Sequence, residues 1–114
     1  MPARNSIPRS QRLKRDAEIK SVIKEGNRIT GKYFSAKWEA GDAYKFGIFV
    51  SKAHGSAVDR NHLKRLYREA IRLDRHLLRG PVKVAIFPHV KINTPALSQI
   101  TAEIRRIFSI IGGQ

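Results

Sequence analysis

Wound at about 100° per residue, the segment from Asp59 to Arg79 sorts its side chains onto two arcs. Arg60, Lys64, Arg68 and Arg72 recur four apart, and Asn61, Arg65, Arg75 and Arg79 widen that stripe. The opposite arc carries Leu63, Leu66, Tyr67, Ala70, Leu73 and Leu77, with Ile71 and Leu78 at the edge of the cationic stripe. The spacing predicts a helix with Asp59 as its N-cap, running to about Leu78 and stopped by Gly80-Pro81. Upstream, Leu13, Ala17, Ile19, Val22 and Ile23 keep a roughly helical spacing from Ser10 to a stop at Gly26. Two runs then alternate with period two, Tyr33 to Trp38 and Tyr44 to Val50, separated by Ala40-Gly41-Asp42; they predict an antiparallel hairpin. Val82 to Phe87 reads as a short buried strand closed by Pro88. Thr94-Pro95 opens a last helix whose apolar stripe is Leu97, Ile100, Ile104, Ile107, Phe108 and Ile111, ending at Gly112-Gly113. The order is α-β-β-(β)-α-β-α, an α/β pattern.

Length and charge narrow the class. At 114 residues the chain is the size of one domain with one core. Residues 1–10 hold Pro2, Pro8, Asn5 and Ser6 among arginines and predict a flexible basic arm; residues 11–114 are expected to form a single domain. Lys and Arg number 23 against nine acids, a formal net charge of +14, more than solubility requires. Seven of these cations against three acids lie between Asp59 and Arg79. Like charges four apart on a helix repel, and a polyanion offsets that repulsion, so the stripe reads as a nucleic-acid face. A membrane surface is also anionic, but its binders are amphipathic helices with bulky exposed apolars and need no strands.

Several chemistries find no support. The chain has no cysteine, which excludes disulfides, thiolate catalysis and cysteine-based zinc sites. No stretch approaches the ~18 apolar residues of a membrane span, and Met1 to Arg15 is Arg-rich without the apolar core of a secretory signal; a cytoplasmic protein is expected. Metal-dependent nucleases converge two or more carboxylates, whereas Asp16 and Glu18 stand two apart on a helix and point differently. His54, His62, His76 and His89 have no ligand spacing, and no nucleophile elbow is present. Among the aromatics, Phe34, Trp38, Tyr44 and Phe46 lie on the expected strands, where an exposed ring could stack on unpaired bases. Trp38 and Phe46 are better placed as core, and Tyr33 and Phe49 fall on the other face of their strands.

The run Ala57-Val58-Asp59-Arg60-Asn61-His62-Leu63-Lys64-Arg65-Leu66-Tyr67-Arg68-Glu69-Ala70 closely resembles the signature of the bacterial ribonuclease P protein subunit family. Arg12-Leu13-Lys14 before a helix, Gly26, Gly31-Lys32-Tyr33-Phe34, Val50-Ser51-Lys52 and the closing amphipathic helix extend the resemblance over about residues 12–110. It implies an α/β (α+β) two-layer sandwich with a small mixed sheet, three helices and a left-handed βαβ crossover, a hand found in only about 2% of such units. The activity implied is that of the protein component of a ribonucleoprotein endoribonuclease. The catalytic RNA, with Mg2+ held mainly by that RNA, performs the chemistry of removing the 5′ leader from precursor tRNA. The implied partners are ribonuclease P RNA and precursor tRNA, with no membrane and no required protein partner.

Carried over by position, the resemblance gives Arg60, Asn61, Lys64, Arg65 and Arg68 to the catalytic RNA; Arg72 extends that stripe by spacing alone. No catalytic residue is expected in this chain. The leader cleft implied between the first helix and the sheet would use Arg12, Lys14, Ile19, Ile23, Phe34 and Lys52. Family members commonly carry aromatics where Ile19 and Ile23 stand, so apolar contact replaces stacking at those two points. The competing readings are a ribosomal-protein-like RNA binder without a processing role, a DNA binder inserting the basic helix in a major groove, and a nuclease acting by itself.

Overall fold

The run Val82–Pro88 is buried along most of its length, and a strand apolar on both faces belongs at the middle of a sheet. In a computed structural model that describes residues 11–90 and 95–113, the chain folds as α1 (Asp16–Glu25), β1 (Asn27–Thr30), β2 (Phe34–Ala40), β3 (Lys45–Ile48), α2 (Ala57–Asp74), β4 (Val82–Pro88) and α3 (Leu97–Gly112). The sheet order is β1-β2-β4-β3. β1 with β2 and β2 with β4 are antiparallel; β3 runs parallel to β4, with Phe46 beside Val84 and Ile48 beside Ile86. This is the expected α+β sandwich of three helices and a mixed sheet.

Alternation along the strands separates two packed clusters. Phe34, Ala36 and Trp38 of β2, Phe46 of β3 and Val84 and Ile86 of β4 face α2 and α3, where Tyr67, Ile71, Ile104, Ile107 and Phe108 complete the main core. Trp38 and Phe46 are buried there as expected. On the reverse face a smaller cluster, Leu13, Val22 and Ala85 with Ile19, Phe49 and Phe87 at its margin, lies under α1. Polar contacts hold α1 in place. The Ser21 hydroxyl donates to both Glu39 carboxylate oxygens, the Lys37 ammonium donates to the Ile23 carbonyl at 2.6 Å, and Glu18 pairs with Lys83 at 3.5 Å.

Several expectations need correction. The runs Tyr33–Trp38 and Tyr44–Val50 do not form a hairpin with each other: β4 lies between β2 and β3, because its two apolar faces need a central place. The hairpin is β1–β2, and β1 escaped notice since, of its four residues, only Ile29 turns partly inward. α1 begins at Asp16 rather than Ser10. Arg12 and Leu13 instead run alongside β3, the Leu13 amide donating to the Phe46 carbonyl at 2.8 Å. α2 ends at Asp74 and passes into a 3₁₀ turn, Arg75–Leu77. Its buried arc is Leu63, Tyr67, Ala70, Ile71 and Asp74, so Ile71 is core and Leu73 is exposed. α3 begins at Leu97 behind Ala96, whose amide donates to the Gln99 side chain; Thr94 and the basic arm 1–10 lie outside the described residues.

Candidate nucleic-acid interface

Hydrogen bonds on both sides fix the start of the cationic helix. Ser56, not Asp59, is the N-cap: the Asp59 amide donates to the Ser56 hydroxyl at 3.2 Å, and the Ser56 amide donates back to the Asp59 carboxylate at 3.0 Å. This reciprocal box places an acid at the third helical position. Hydrogen bonds from the Ser56 amide and then its hydroxyl hold the Asp59 carboxyl below its ordinary pKa. Gly55, at φ 115°, makes the turn, and a Cβ there would strike Asp59. Ahead of it, the 3₁₀ turn Lys52–His54 is tied to the end of β4 through His54. The imidazole Nδ1 accepts from the Ser51 amide at 3.0 Å, which leaves Nε2–H to donate to the Pro88 carbonyl at 2.8 Å.

The helix therefore presents its stripe from a fixed origin. Asn61 and Arg65 are exposed and Lys64 half-buried, and none of the three pairs with an acid among the described residues. Arg60 folds back and donates to the Gly55 carbonyl at 2.9 Å. Arg68 is half-buried, and burial, followed by the nearby Arg12 guanidinium, pushes its pKa down. Arg72 differs, since Glu69 takes it in a two-point pair, 2.6 and 3.3 Å, and that hydrogen bond raises its pKa.

A second cationic surface lies on the reverse face of the sheet. Beyond the end of α1 an open cleft of about 700 Å³ is lined by Ile23, Arg28, Ser35, Lys37, Phe87 and His89, among others. Around the β3 edge a smaller hollow of about 230 Å³ brings Arg12, Lys14, Phe49 and Arg68 together. Ile23 thus lines the cleft and Ile19 packs in the cluster beneath α1, while Lys52 is exposed on its 3₁₀ turn. Phe34 is not on the cleft. It faces α2 on the opposite side of the sheet, fully buried and edge-on to Tyr67 at 5.3 Å, because it shares the phase of Ala36 and Trp38. Arg28, Lys37, Phe87 and His89 were missed. Their signal was phase: Lys37 and Phe87 fall between the core positions of β2 and β4. Among the described residues no three of His, Asp and Glu gather as a metal-ligating group.

A basic α+β sandwich with two cationic surfaces, one on a helix and one over a sheet, defines the class as a small domain suited to polyanions. The family model described as Ribonuclease P matches residues 7–112. The ribonuclease P protein component of Desulfatibacillum aliphaticivorans is 34% identical over 83 residues, 71% of this chain and 70% of that protein. That of Desulforapulum autotrophicum is 29% identical over 108 residues, 93% and 92% of the two chains. In fold, the chain matches the Staphylococcus aureus RNase P protein with TM-score 0.76 at 23% identity, covering 88% of this chain and 94% of that one. The Thermotoga maritima RNase P protein gives 0.74 at 21% identity, covering 88% and 96%. This chain belongs to the ribonuclease P protein family, the protein part of the RNA–protein endoribonuclease of tRNA 5′ maturation.

Proposed function

We propose that the chain holds two RNAs at once. The α2 stripe of Arg60, Asn61, Lys64, Arg65 and Arg68 docks on the catalytic RNA of ribonuclease P, and the reverse-face cleft receives the 5′ leader of precursor tRNA. The carrying observation is the separation of the two cationic surfaces and their meeting in the hollow where Arg12 and Lys14 approach Arg68. Both RNAs are polyanions, so bringing them together is opposed by their charge; a domain of net charge +14 placed between them lowers that repulsion. Mature tRNA lacks the leader and makes no contact with the cleft, so binding energy falls selectively on the precursor.

In this reading the chain binds and orients, and the RNA carries the reaction. Magnesium, which the resemblance places mainly on the RNA, would supply electrostatic stabilisation of the attacking and leaving oxygens when bound. The proposed compartment is the cytoplasm, and among the described residues no helix is long and apolar enough to cross a membrane.

The test is reconstitution with the cognate catalytic RNA at low magnesium, scoring precursor cleavage. The proposal expects the protein to restore cleavage at magnesium concentrations where the RNA alone is slow. A ribosomal-protein-like binder would give no specific gain, and that result would refute the proposal.

A further inference from the structure

The reverse face carries an aromatic pair at the open margin of its small cluster. Phe87 of β4 and Phe49, just past β3, stack with ring centroids 5.4 Å apart and planes inclined by 23°. Both are half-buried at the margin of the small cluster under α1. α1 covers Ala85 through Val22 but stops short of sealing Phe87, which lines the open cleft beside Arg28 and Lys37. Phe49 lines the hollow on the other side, with Arg12 and Lys14. The pair therefore bridges the two basic depressions, with cations at each end.

The pair is also seated. Gly47 lies beneath the Phe49 ring, where a Cβ would come within 2.7 Å of it. Phe49 thus leans over Gly47 and stacks its face against Phe87. A half-exposed phenyl backed by a second ring and flanked by guanidinium and ammonium groups suits a ligand that is planar, aromatic and carries phosphates on both sides. An unpaired nucleotide in a single strand fits that description.

We propose that Phe87, backed by Phe49, is the stacking platform for one unpaired base of the bound single strand. This rests on the leader reading of the cleft. It puts the aromatic contact on β4, where α1 offers only Ile19 and Ile23, with Arg28 and Lys14 placed to take the phosphates on either side of the stacked base.

The experiment is a double-mutant cycle in the assembled holoenzyme. Precursor tRNAs carrying one abasic nucleotide, moved along the leader, are bound by wild type and by Phe87→Leu, which keeps an apolar side chain over the cluster but removes the π face. With wild type, one leader position should lose about 5- to 150-fold in affinity when made abasic, the range of a single base–aromatic stack. Phe87→Leu should lose a similar factor on intact precursor and nothing further at that position, whereas Phe87→Trp should restore the loss. Affinity for the catalytic RNA and for mature tRNA should not move. Should Phe87→Leu fail to assemble, Phe87→Trp carries the test, since a larger ring should deepen the abasic loss at that one position. Equal abasic losses in wild type and variant, with leader preference intact, would overturn the platform alone. A wild-type holoenzyme indifferent to the leader would remove the cleft reading and the platform with it.

Discussion

Replacing Glu103 by alanine should unfold the β1–β2 turn at its base. Glu103 is a nearly buried carboxylate on α3 that accepts backbone N–H groups from Lys32 at 2.9 Å, Tyr33 at 2.7 Å and Phe34 at 3.3 Å. Three consecutive amides aimed at one side chain tie the hairpin turn to the last helix across about 70 residues of sequence. Truncation lets water reach the part-buried Lys32 and Tyr33 amides, so each of those bonds loses only about 1 kcal/mol net. The Phe34 amide is buried, and a stranded donor of that kind costs about 1–3 kcal/mol. The sum is a loss of roughly 3–5 kcal/mol, which for a domain of this size lowers Tm by about 12 °C or more. Glu103→Gln keeps one oxygen for Tyr33 and Phe34 but turns an amide donor toward Lys32, and should fall in between, at about 1–2 kcal/mol. Urea denaturation with the m-value compared across the three proteins measures this. A loss under about 1 kcal/mol for Glu103→Ala would refute the reasoning, since it would mean the three amides find equal partners without the carboxylate.

Gly31→Ala should be destabilising in the wild type and nearly neutral on top of Glu103→Ala, because a Cβ at Gly31 would strike the Glu103 carboxylate; a double-mutant cycle in urea reads the coupling. The cap at the head of α2 should depend on pH in a defined direction. The folded pKa of Asp59 lies below its ordinary 3.8, so its contribution is full above that ordinary value and is lost as pH falls through the lowered one. Hydrogen exchange at Asp59 and Arg60 should accelerate there in wild type, whereas Asp59→Asn should show no such step. Arg65→Ala should weaken binding to the catalytic RNA and reduce the salt slope by about one counterion. Arg72→Ala should do less, since Glu69 already holds that guanidinium; a salt titration of both variants compares them.

What could be read from the chain beforehand was periodic and long. α2 and α3 carry apolar stripes over four or more turns, and such stripes survive any packing detail. The side of α2 that goes inward was another matter. Ile71 and Leu73 are equally apolar, and only the position of α3 and the sheet sends Ile71 in and leaves Leu73 out. Ser56 and Asp59 are both good caps, and although Ser56-Ala57-Val58-Asp59 has the spacing of a capping box, it is the hydrogen bonds that fix Ser56 as the cap and Asp59 as its third-position partner. β1 is four residues long with exposed ends, too short for alternation to register. The hairpin error and the misplaced Phe34 share a cause: strand phase groups residues by face but says nothing about which neighbour comes next or which face meets which helix. Placing Phe34 with Ile19 and Ile23 required them to share a face, and α1 packs on the other one. The same phase argument, applied to Lys37 and Phe87, would have found the cleft once α1's side was known.

The most direct measurement takes two affinities on two variants: protein for catalytic RNA, then assembled holoenzyme for precursor relative to mature tRNA. Arg65→Ala, on the exposed stripe of α2, should weaken the first and leave the ratio in the second unchanged. Arg28→Ala, on β1 at the cleft, should leave assembly intact and reduce the preference for precursor. If both variants lose the same step to the same degree, the two surfaces do not serve two RNAs.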